Sequence, residues 1–338
     1  GSMLAIIQNG NVGIGTTTPA QKLSVVGNIS NITDPNTAIS LVATTSISGS
    51  SPRGIFVSGR YAYVLGSGNH RLSVVDVSNP SAPVQISSIA GLTSAISLYV
   101  SGRYAYVISQ DTKKIFVIDI SIPYDPTIVA STTLGTTPVS VYVSGRYAYV
   151  ANYGSNSISV VDVSNPTIPT EIATTSVGTA PYSIFVSGRY AYTANFNADS
   201  VSVVDISNPS APIQIATTSV GTNPNSIYVS GRYAYVTNQS SNDISVVDIS
   251  NPSVPVQVAT ATVGNAPKGI YVSGRYAYVT NNASNTVSIV DVSSSTAPRQ
   301  VTATAVGALT APHGIYVSGR YAYVTNNSPA GIFISFIM

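Results

Sequence analysis

The chain has 338 residues, of which 44% are hydrophobic and 8% charged, with a formal net charge of +2 and no Cys. That apolar content supports a large core and excludes wholesale disorder, and no run is apolar and long enough to be read as a membrane-spanning helix. The lack of Cys removes disulfide scaffolds, thiolate zinc sites and Cys nucleophiles; no basic run exceeds Lys113-Lys114, which argues against a nucleic-acid partner.

From the N-terminus, residues 1–3 (Gly1-Ser2-Met3) look like a cloning remnant. Residues 4–37 read as a separate β-rich segment or linker, too poor in apolar surface for a core of its own. Ile39 to Ser46 is rich in β-branched residues and reads as a strand. Beyond it the hexamer Ser-Gly-Arg-Tyr-Ala-Tyr occurs seven times, with its Arg at 60, 103, 146, 189, 232, 275 and 320, spaced by 43 residues and finally by 45. Periods of this size belong to solenoids, propellers or arrays.

One repeat contains four short strands, each followed by a turn signal. Strand A is the Ile-Phe-Val or Ile-Tyr-Val stretch before Ser-Gly. Strand B is Arg-Tyr-Ala-Tyr-Val, strand C ends in Val-Val-Asp, and strand D follows Asn-Pro. No window carries helical periodicity. Four strands per 43 residues predict an all-β, seven-bladed β-propeller of four-stranded antiparallel blades over residues 38–338. The last repeat stops after Ile332 to Phe336 without a D strand, and the first is preceded by a surplus one. The N-terminal strand is therefore expected to complete blade 7 in a 3+1 closure, which removes an open edge.

Tyr278-Val279-Thr280-Asn281, with its copies at 235–238 and 323–326, resembles the YVTN repeat. Val74-Val75-Asp76-Val77-Ser78-Asn79-Pro80 resembles the LVIVD repeat. The likeness covers about 300 residues, and blades 1 and 2 depart from the first motif with Gly66 and Ser109 at its Asn position. It implies a propeller of the prokaryotic cell surface, a class of mostly unassigned activity. Residues 9–27 are similar to a segment of fibre-type surface proteins.

Seven copies in one chain separate constant from variable positions. On the face carrying the A–B and C–D loops, each Arg is followed 16 residues later by Asp: Arg60/Asp76, Arg103/Asp119, Arg146/Asp162, Arg189/Asp205, Arg232/Asp248 and Arg275/Asp291. These are expected to be structural salt bridges across the B–C pair. In blade 7 Phe336 takes the Asp position and leaves Arg320 without that partner.

The opposite face varies. Seven residues before each Arg stand Arg53, Ile96, Val139, Tyr182, Asn225, Lys268 and His313, no two alike, each followed by Gly or Ser. With Tyr153 and Phe196 on the B–C tips they form the candidate ligand-binding set, at the rim of the central channel. The aromatics of strands A and B are expected to pack between blades.

Catalytic groups are sparse. There are two His, His70 and His313, and one Glu, Glu171; no spacing fits a metal site, and Gly10 to Gly15 lacks the βαβ context of a dinucleotide loop. No catalytic residue, metal or cofactor is expected. The reading is a non-enzymatic, secreted or cell-surface binding or adhesion module, monomeric in its propeller, that presents its variable face to a glycan or protein. A channel-mouth lyase or hydrolase, and a spacer without a ligand, are the alternatives.

Overall fold

The computed structural model describes residues 4–6, 12–14, 23–25, 39–48 and 51–337. The expected cloning remnant at 1–3 and much of the fibre-like segment lie outside them. The chain divides into two units, 1–37 and 38–338. In the first, Leu4–Ile6 pairs antiparallel with Val12–Ile14, which pairs parallel with Leu23–Val25.

The second unit is the seven-bladed propeller, with every blade a four-stranded antiparallel sheet in A-B-C-D order. Blade 4 is representative, with A Pro181–Ser187, B Tyr190–Asn195, C Ser200–Asp205 and D Ile213–Ser219. No helix occurs among the described residues. The A–B connection is a two-residue Gly-Arg turn between paired Ser187 and Tyr190. Its Gly188 has φ +57°, a conformation that favours Gly and gives the primed turn whose twist matches antiparallel strands. This accounts for Ser-Gly-Arg in every copy.

Strands B and C are buried along nearly their whole length, because each blade is covered on both faces by its neighbours. The apolar clusters bridge consecutive blades: Tyr192, Val201 and Val203 of blade 4 pack with Ile227, Val229 and Val247 of blade 5. Fully burying each Val or Ile contributes about 1.5–3 kcal/mol. The same kind of cluster joins blade 7 to blade 1, with Tyr323, Ile332 and Ile334 against Ile55, Val57 and Val75.

Closure is 3+1. Ser40–Ser46 forms strand D of blade 7 and pairs antiparallel with strand C, Gly331–Phe336, in the register Gly331↔Ser46, Ile332↔Thr45 and Phe336↔Ser40.

All six Arg–Asp pairs form. Arg189 Nη2 lies 2.6 Å from Asp205 Oδ2, and its guanidinium lies 5.2 Å from the Tyr190 ring centroid. The Ser207 hydrogen bonds and then Arg189 hold the Asp205 carboxyl down to about 2. Each Asp also accepts the N–H two residues on, as Asp205 Oδ1 does from Ser207 at 2.9 Å. In blade 7 the guanidinium of Arg320 sits 4.6 Å from the centroid of the Phe336 ring, so the residue that replaces Asp supplies a cation–π contact instead.

The strand-A aromatics take a more specific place than packing between blades alone suggests. Phe56, Tyr99, Tyr142, Phe185, Tyr228, Tyr271 and Tyr316 form a continuous collar around the propeller axis, each ring centroid 4.6–5.0 Å from the next. The second Tyr of each strand B, such as Tyr192, enters the inter-blade cores as expected.

Candidate functional site

The variable residues occupy a distinctive backbone position. Where strand A pairs with strand B the register slips: Pro138 faces Asn152 and Ser140 faces Ala151, leaving Val139 as an extra residue. Ile96, Tyr182 and Asn225 are the extra residues of the corresponding bulges. In blades 1 and 6 the irregularity spans Arg53-Gly54 and Lys268-Gly269. A bulge re-aims a side chain out of strict alternation. All seven variable residues line one cavity of about 190 Å³ at the channel mouth, and the aromatic collar lies one residue further along strand A than its innermost lining residues, such as Ile55 and Ile315.

The mouth is chemically divided. Lys268, His313 and Arg53 come from the consecutive blades 6, 7 and 1, Ile96 and Val139 from blades 2 and 3, Tyr182 from blade 4 and Asn225 from blade 5. Arg53, Tyr182, Lys268 and His313 also line an adjoining cavity of about 280 Å³, together with Asn282 and Asn327. Tyr153 and Phe196 do not line the first cavity. They flank Tyr182 at the rim, with centroids 6.1 and 5.6 Å from its ring.

The electrostatics follow from that arrangement. Burial, then the positive charges of Arg53 and Lys268, hold His313 well below the ordinary imidazole range, so the ring is neutral at pH 7. Burial, then Arg53, lowers Lys268. Burial raises the Tyr182 phenol while Arg53 opposes that rise. Lys268 Nζ donates to Gln239 Oε1 at 2.6 Å, an oxygen that also accepts from Asn225 Nδ2 at 3.2 Å. Among the described residues no carboxylate lines either cavity, and no group of three or more His, Asp or Glu is placed to hold a metal ion.

The Gly or Ser after each variable residue serves the joint between blades. Ser183 Oγ accepts the Ile227 N–H of the next blade at 3.3 Å, as Ser97 and Ser140 do for Val141 and Ile184. A Cβ at Gly269 would stand 2.6 Å from the His313 carbonyl oxygen, which instead accepts the Gly269 N–H at 3.1 Å. The Thr of Tyr-Val-Thr-Asn completes this brace. Thr280 Oγ1 donates to the His313 carbonyl at 2.7 Å and accepts from Gly269 N at 2.8 Å. The following Asn is fully buried and fixes the B–C loop: Asn238 Nδ2 reaches Ser245 Oγ at 2.9 Å and Asp243 Oδ1 at 2.7 Å.

The two His lie on the same face without forming a pair. His70 Nδ1 accepts the Ser94 N–H at 2.9 Å, the role filled elsewhere by Asn156 for Ala180 and Asn242 for Ala266. His70 is thus a loop brace toward blade 2, while His313 belongs to the mouth. Gln239, Asn282 and Asn327, on the B–C tips of blades 5, 6 and 7, join the site through three-dimensional proximity.

The LVIVD repeat matches residues 49–90, 93–133, 138–176, 180–218, 222–262, 264–303 and 312–328. The chain belongs to the LVIVD repeat family. No curated protein matches this LVIVD chain. Among solved structures it is similar to the β-propeller domain of Cps50 (Swd1) from Myceliophteria thermophila, at 11% identity over 89% of this chain and 100% of that one, with a TM-score of 0.72. It is similar to Kuenenia stuttgartiensis hydrazine synthase at 16% identity over 91% and 98% of the two chains, TM-score 0.70. It is similar to a periplasmic gluconolactonase of Pseudomonas aeruginosa at 18% identity over 78% and 86%, TM-score 0.68. Neighbours of such different description establish the fold alone, since one fold hosts many functions.

Proposed function

We propose that this LVIVD propeller is a non-enzymatic binding module of the prokaryotic cell surface or exterior, and that it takes a glycan at the D–A mouth. The observation that supports this most is the convergence of seven dissimilar side chains, one per blade, on a single cavity in a molecule whose opposite face repeats the same Arg–Asp pair six times. Turn geometry constrains the repeated face, and the bulge frees the mouth position to vary. A cavity of about 190 Å³ is smaller than the roughly 300–1,000 Å³ of sites for drug-sized molecules, which suits one unit of a longer ligand.

Tyr182 is the anchor in this reading, an aromatic ring braced by Tyr153 and Phe196. Tyr182→Ala should weaken glycan binding by about 1–3 kcal/mol, measured by calorimetry on a ligand drawn from a glycan array. Arg189→Ala, on the opposite face, should leave it unchanged. Binding that survives the first substitution and fails with the second contradicts the assignment.

The second reading is a channel-mouth hydrolase. The neutral His313 between Arg53 and Lys268 favours it, and turnover of a lactone or ester abolished by His313→Asn would establish it.

A further inference from the structure

The mouth carries more positive than negative character, and the excess is local. Arg53 and Lys268 project into it from blades 1 and 6, and among the described residues no Asp or Glu lines it. Arg53 is exposed and makes no side-chain hydrogen bond or ion pair among the described residues. This sets it apart from the hexamer arginines of blades 1 to 6, each of which has an Asp. The His313 imidazole, mostly enclosed between these two cations, has no hydrogen-bond partner among the described residues either. Like charges brought together in a concavity repel, and among the described residues only the neutral Gln239 amide, on Lys268, and no carboxylate stands against them. A ligand anion would offset the repulsion, and would do so more strongly there than on open surface.

The rest of the mouth defines what bears the anion. Across the cavity stands the Tyr182 ring, which also borders the adjoining cavity. Neutral hydrogen-bonding groups share the lining: Asn225 on blade 5, between the blades of Tyr182 and Lys268, and Asn282 and the exposed Asn327 on the same blades as Lys268 and His313. An aromatic face, scattered amide donors and acceptors, and one cationic corner correspond to a sugar ring with its hydroxyls and a carboxylate.

Resting on the binding-module reading above, we propose that the mouth recognises an acidic saccharide unit, a uronic acid, with its carboxylate between Arg53, Lys268 and His313 and its ring on Tyr182. Arg53 supplies a guanidinium that no side chain among the described residues engages. Lys268 adds charge while tethered to Gln239. His313 offers a neutral imidazole N–H.

The test is a calorimetric titration of the full chain with a galacturonic acid trimer, a galactose trimer and a triglutamate peptide. The expected result is a preference of about tenfold or more for galacturonate over galactose, the scale of a charge-assisted hydrogen bond, weakening as salt is raised. Arg53→Ala should erase this preference by weakening galacturonate far more than galactose, Tyr182→Ala should weaken both sugars, and Arg189→Ala should change neither. Equal affinity for the two trimers, a galacturonate preference that survives Arg53→Ala, or tighter binding of triglutamate would overturn the proposal while leaving a binding mouth in place. Binding of none of the three by the unmodified chain would overturn it together with the glycan-binding reading.

Discussion

At the residue scale, the positions that recur in this propeller are those with a bond to keep, and the positions that vary are those the backbone leaves free. Asn238 illustrates the first kind. It is fully buried, and its amide donates to Ser245 and Asp243; removing it takes a hydrogen bond from each and leaves a gap beside the buried Ser245 hydroxyl. Asn238→Ala should cost about 1–3 kcal/mol, seen as a lower midpoint in denaturant unfolding, whereas Arg189→Ala, which removes an exposed ion pair, should shift the midpoint far less. A larger effect from Arg189→Ala than from Asn238→Ala would contradict this ordering. His70 shows how composition misleads: as one of two His it attracts a functional reading, yet it does the work of Asn156 and Asn242.

At the element scale, the period and turn chemistry made the fold legible. Gly at positive φ between paired Ser and Tyr dictates the hairpin, and four alternating stretches per repeat leave little choice of architecture. The surplus strand at one end and the missing strand at the other specified the closure, down to pairing of the 39–46 stretch with Ile332 to Ser335. The bulge was not legible, because nothing in Pro-Val-Ser or Pro-Tyr-Ser distinguishes an extra residue from an ordinary strand position. The Gly/Ser alternation was visible, but its cause was not: it depends on how closely a neighbouring blade approaches, as the His313 carbonyl does at Gly269. Closure carries its own prediction. A chain lacking residues 1–47 loses the partner of Gly331–Phe336 and exposes that edge. It should melt well below the full chain and self-associate on size exclusion; a truncated chain that melts and elutes as a monomer like the full one would refute the closure.

At the scale of the whole molecule, seven near-identical blades build an asymmetric object. The Arg–Asp face, the inter-blade cores and the aromatic collar follow the repeat, and the mouth departs from it with cations on blades 6 and 1 flanking a neutral imidazole on blade 7, aliphatic side chains on 2 and 3, and an aromatic and an amide on 4 and 5. The sequence showed that these seven positions differ, and counting from each Arg placed them on one face. Their convergence on one cavity, and the neighbourhood of Tyr182 to Arg53 across it, needed the ring in three dimensions. The central claim is that the departure from symmetry is where the protein works. Hydroxyl-radical footprinting of the full chain, with and without saturating galacturonic acid trimer, tests it most directly. The account predicts protection confined to Arg53, Tyr182, Lys268, His313 and the adjoining B–C tips. Protection on the Ser-Gly-Arg turns or along the outer D strands would contradict it.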